Sequence, residues 1–235
     1  MHDSQVTTVE HEAHNPALLH HFADAQQQKN AASLGMWLFL VTEIMFFGGM
    51  FCAYLVYRLA HYNAFAAASQ QLDWRLGFLN TVVLLISSLT VVLAVKAAET
   101  GYRKQLVTYL VMTVLLGLTF LVVKGFEYRE KFERHHVPGP TFQFTDTFDD
   151  GAQKIPVNPN EAQLYFSLYF AMTGMHALHM VIGCGLFTVL AVFAWKGHYS
   201  PSYFTPIENA GLYWHLVDII WIYLFPLLYL ISRHR

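Results

Sequence analysis

The chain has 235 residues, of which 55% are hydrophobic, 16% aromatic and 13% charged. Soluble domains carry roughly 25% charged residues, so this composition and a mean hydropathy of +0.35 exclude a disordered, collagenous or ordinary soluble protein. Fourteen Lys+Arg against 16 Asp+Glu leave a formal net charge of −2, without the basic surplus that binding to nucleic acid needs. Cys52 and Cys184 both lie in apolar runs, so neither a disulfide framework nor a Cys-based zinc or haem attachment site is expected.

The polar first 33 residues hold His2, His11, His14, His20 and His21. They lack the apolar core of a signal peptide, and the irregular spacing favours solvated histidines over a metal site. Residues 34–232 then form one membrane domain. Five stretches approach or exceed the ~20 residues that a span requires: Gly35 to Tyr57, Phe78 to Val95, Gln105 to Val123, Ala162 to Trp195 and Asn209 to Ser232. The predicted fold is an all-α, polytopic bundle of five transmembrane helices. The fourth stretch has 34 residues without Asp, Glu, Lys or Arg, so its ends are expected to tilt or project.

Connections between the stretches are short except for Lys124 to Glu161. There the third helix is expected to continue into solvent, with Glu127 and Lys131, and Glu130 and Arg134, paired at i,i+4. Pro138-Gly139-Pro140 is expected to end it, and the segment up to Pro159 to be irregular. A count of Lys and Arg gives five on the N-terminal side against nine opposite, which by itself places the N-terminus outside.

An ionisable group in mid-bilayer costs about 2.5–3.5 kcal/mol on insertion scales. Glu43 is such a group, with no partner nearby in sequence, so it is either protonated or met by another helix. As a functional residue it is a proton-exchanging or lipid-headgroup site. His176 and His179 share one helix face at i,i+3, as do His215 and Asp218. Facing imidazoles can ligate haem b or copper, but a carboxylate one turn from an imidazole more naturally accepts its N–H. Hydrogen bonding between helices is therefore the favoured role. Asn80, at the head of the second stretch, is expected to cap or bridge. Gly48-Gly49, Ser87-Ser88, Thr90, Gly117, Gly174 and Gly183-x-Gly185 are expected to permit close helix approach.

Five segments together resemble subunit III of cytochrome c oxidase. They are Gly35 to Gly48 around Glu43, Leu79-Asn80-Thr81 through Ser88, Gly125-Phe126-Glu127-Tyr128-Arg129-Glu130, Thr173 to Gly183 with its paired histidines, and Glu208 to Trp221. Long members of that family have seven helices, the first two set apart across a lipid-filled cleft. This chain resembles the last five, as the short bacterial forms do.

The resemblance implies a non-catalytic core subunit of an aa3-type cytochrome c oxidase in the aerobic electron transport chain. It implies packing on subunit I, with subunit II in the same complex, and support of proton uptake and sustained turnover. Haem and copper would sit on the partner subunits, with none on this chain, and phospholipid would be bound. Glu43 would be the family's buried acid, and Glu127, His176, His179, Glu208, His215 and Asp218 an interhelical hydrogen-bond network. It also implies a bacterial inner (cell) membrane, with the N-terminus cytoplasmic and the C-terminus outside, against the charge count. The alternatives are the subunit of a quinol oxidase, the accessory protein of nitric oxide reductase and, from other classes, an autonomous di-haem cytochrome or a transporter.

Overall fold

A computed structural model describes residues 24–140, 142–144, 147–149, 154–201 and 203–231. The histidine cluster of the N-terminal tail lies outside the described residues. Five long apolar helices are present: α1 (Ala25–Ala60), α3 (Trp74–Glu99), α4 (Arg103–Glu133), α5 (Pro159–Lys196) and α6 (Thr205–Tyr229). Each is long and apolar enough to cross a bilayer, and the chain is a multi-pass membrane protein.

The helix boundaries follow local chemistry. Asp24 and Asp73 accept backbone N–H bonds at the starts of α1 and α3. Asn158 does the same for α5 ahead of Pro159, whose missing N–H costs nothing in a first turn. Gly101 and Gly197 adopt positive φ (78° and 82°), which lets the chain leave α3 and α5 abruptly. The fourth span runs unbroken for 38 residues as one intact helix.

Two expectations for the connections are corrected, and one further helix appears. The first connection contains a nine-residue helix, α2 (Tyr62–Gln70), whose Ala64–Ser69 stretch is buried against α5. Helix α4 ends at Glu133, before Pro138-Gly139-Pro140, and His135 takes a left-handed conformation there. The segment before α5 also contains an antiparallel pair, β1 (Thr147–Asp149) with β2 (Lys154–Pro156), in register Phe148 to Ile155.

Helices α3, α4, α5 and α6 form a ring of neighbours, and α1 leans on α5 and α6 from outside it. Among the five long helices α6 is the most enclosed and α1 the least. Its C-terminal carbonyls are met by side chains from three other elements. Tyr54 donates to Leu227, Tyr165 to Leu228 and Ser69 to Ile231. Groups orphaned at a buried helix end must find such partners.

Gly117 and Gly183 flank the buried indole of Trp214: a Cβ at either would stand 2.8 Å or closer to that ring. Trp214 in turn donates its N–H to Ser87 on α3. Gly48, Gly49 and Gly185 have nothing within 4 Å, so the close approach expected of them does not occur within this chain.

Candidate functional site

The polar side chains inside the bundle fall into separate groups rather than one network. Lys124 on α4 is almost fully buried, and its Nζ lies 3.0 Å from Glu127 Oε2. Nζ also donates to the Tyr229 hydroxyl at 2.8 Å, and Tyr169 donates to Glu127 Oε1 at 2.8 Å. Tyr229 donates to the same oxygen. The ammonium stands 5.0–5.6 Å from the ring centroids of Tyr128, Tyr169, Trp221 and Tyr229. One ion pair thus ties α4 to α5 and α6 in a setting where the attraction is weakly screened.

Glu127 was expected to pair with Lys131 on a solvated face. Instead it pairs with Lys124, and Lys131 is itself buried and donates to the backbone carbonyl of Gln71. The Arg134–Glu130 pair does form, at 2.9 Å on the exposed face.

Glu43 meets a partner on another helix. His179 Nε2 on α5 lies 3.1 Å from Glu43 Oε2, though outside strict hydrogen-bond geometry. His179 Nδ1 is 2.8 Å from the Met175 carbonyl and must donate to it, since a carbonyl has no proton. Its Nε2 then carries a proton only as imidazolium. Phe47 and Tyr213 pack on the His179 ring at 5.4 and 6.4 Å between centroids.

His215 was expected to bond Asp218. Its Nδ1 instead lies 2.8 Å from Ser88 Oγ on α3. Asp218 is buried and neither oxygen has a hydrogen-bond partner. His176, fully buried, is enclosed by the rings of Phe120 and Trp221 at 5.3 and 5.2 Å, with both ring nitrogens unpartnered. Asn80 lies in the second turn of α3 and neither caps nor bridges, since Asp73 is the cap and both amide atoms lack a partner. Glu208 is at the membrane edge, 3.5 Å from Lys29 on α1. The three intramembrane imidazoles therefore turn to three different neighbours. Among the described residues no three His, Cys, Asp or Glu side chains converge as metal ligands do.

Lys124, Tyr169 and Tyr229 were missed as site residues. The available signal was a lysine and a glutamate one helical turn apart beside an apolar span. Lys124 was assigned to the connecting segment, which hid it.

The profile of the cytochrome c oxidase subunit III family matches residues 19–148 and 160–233. The chain belongs to that family. Among curated relatives, the cytochrome c oxidase subunit 3 of Marchantia polymorpha is 32% identical over 201 residues, 83% of this chain and 66% of that protein. The subunit 3 of Gallus gallus is 31% identical over 208 residues, covering 83% of this chain and 67% of its own length. That of Papio hamadryas is 30% identical over 223 residues, 89% and 72% of the two chains. The chain spans about two thirds of the length of these relatives. In this subunit III family member, α1 carries Glu43, α5 the paired histidines and α6 the run from Glu208 to Trp221.

Proposed function

We propose that this chain is a non-catalytic core subunit of a haem-copper terminal oxidase. In this reading it packs on subunit I, alongside subunit II, and the complex is of the aa3 type and oxidises cytochrome c. The chain supports proton uptake and sustained turnover there, while haem and copper stay on the partner chains. Family membership over most of the chain is the observation that carries this reading. The polar interior supports it: among the described residues, buried acids, imidazoles and the lysine mostly engage neighbouring helices. The exposed α1 face, with Gly48 and Gly49 uncovered, suits contact with lipid or a partner helix.

The proposed setting is a bacterial inner membrane, with the start of α1 on the cytoplasmic side and α2 and the hairpin outside. Phospholipid occupies the lipid-facing seam beside Glu43. A quinol oxidase subunit is the second reading, because the donor site lies on other subunits and the same motifs serve both. Co-purification from native membranes, with mass spectrometry and a haem assay, tests the proposal. Recovery with partners that bear haem ligands supports it, and a dinuclear copper site on one of them identifies the cytochrome c form. A Soret band retained by this polypeptide alone would establish the autonomous cytochrome instead.

A further inference from the structure

A pocket of about 520 Å³ lies between α1, α3 and α6, on the side where α1 begins. Lys29, Lys96, Glu99 and Glu208 stand at its rim, and Val92 and His215 are the lining residues furthest along α3 and α6 from that rim. His215 joins this pocket to Ser88 through the 2.8 Å contact of its Nδ1. The Ser88 hydroxyl also interacts with the Asp218 carboxyl, outside strict hydrogen-bond geometry. Asp218 shares a helix face with His215 and is 3% exposed. An imidazole, a hydroxyl and a buried carboxyl thus stand in sequence inward from the pocket.

We propose that Asp218 is a proton-holding site inside the bundle, loaded from this pocket through His215 and Ser88. An ionisable side chain within a span needs a reason, and proton relay is a common one. A carboxylate buried without a cation and without a well-aligned hydrogen bond is costly, and proton uptake removes that cost. The surrounding charges leave it uncompensated. Lys29 on α1 is paired with Glu208 on α6, and Lys124 on α4 with Glu127. Lys96 and Glu99 on α3 remain at the rim, and α5 contributes His176, whose ring is enclosed by Phe120 and Trp221.

The transfer balances. A hydronium proton from the pocket binds His215 Nε2, the Nδ1 proton passes to Ser88 Oγ, and the Ser88 hydroxyl proton moves to Asp218. One proton enters, and His215 is left neutral with its proton on Nε2. The reverse sequence unloads the site and restores the imidazole, so the relay needs no exit on the far side. The site extends beyond the proposed function, because it uses this chain's own residues whichever donor the complex oxidises.

The test is infrared difference spectroscopy on the intact membrane complex, following the C=O stretch of a protonated carboxyl after transfer to D2O. The expected result is a deuterium-sensitive band that Asp218→Asn removes. Ser88→Ala keeps the band but slows its exchange by about a hundredfold, the lower range of what a positioned proton-transfer group supplies. His215→Gln gives the same slowing and serves where Ser88→Ala fails to assemble. A spectrum unchanged by Asp218→Asn, or exchange at the original rate in the relay variants, overturns the proposal.

Discussion

Lys124 and Glu127 show how a single pair is stabilised away from water. Each is almost fully enclosed, and the attraction repays desolvation only because two tyrosine hydroxyls supply the remaining hydrogen bonds. Removing one partner strands the other charge, so Lys124→Ala is expected to cost about 3–5 kcal/mol. Thermal unfolding in detergent measures that loss, and Lys124→Met combined with Glu127→Met is expected to recover most of it. Glu43 behaves differently. It faces an imidazole rather than a lysine, and a glutamine amide can still donate to Nε2. Glu43→Gln is therefore expected to retain assembly and initial turnover, checked by subunit stoichiometry and oxygen consumption. Loss of the subunit would show that its charge is structural.

Among the elements, α6 organises the others because it is touched on several sides. Its indoles reach α3 through Trp214–Ser87 and Trp221–Thr81, and Trp214 fills the space left by Gly117 and Gly183. A methyl at Gly183 must push a buried ring whose nearest atom would be 2.7 Å away. Gly183→Ala is expected to destabilise the bundle by about 1–3 kcal/mol, read as a lower midpoint of thermal unfolding. Gly49→Ala meets nothing within 4 Å and is expected to leave the same midpoint unchanged or slightly higher. The end of α6 offers a third comparison. Tyr54→Phe leaves the Leu227 carbonyl without its donor, an expected loss of about 1–3 kcal/mol.

For the whole molecule, two signals bear on orientation. A positive-inside count favours one direction and the family resemblance the other. Four of the basic residues on the richer side, Lys124, Arg129, Lys131 and Arg134, belong to the end of α4. There, Lys124, Arg129 and Arg134 pair with Glu127, Glu133 and Glu130, and Lys131 donates to the backbone carbonyl of Gln71. Charges so engaged are poor reporters of insertion, which the loops govern. Thr147→Cys places a thiol at an exposed position of β1. It is expected to react with a membrane-impermeant reagent on intact cells, and labelling only after lysis would reverse the proposed orientation.

The membrane class, the five spans and the family were all legible in the amino-acid sequence. Long apolar runs and short motifs are local patterns, and lipid leaves helices as the economical spanning structure for them. Tertiary structure alone decided which polar group meets which. His215 turns to Ser88 rather than Asp218, Glu127 to Lys124 rather than Lys131, and Glu43 to His179. Helical spacing says which residues share a face, but the partner across that face depends on how helices distant in sequence are rotated and raised against each other. In this bundle that is set by the packing of Trp214, Trp221 and the glycines beneath Trp214, which no single helix contains.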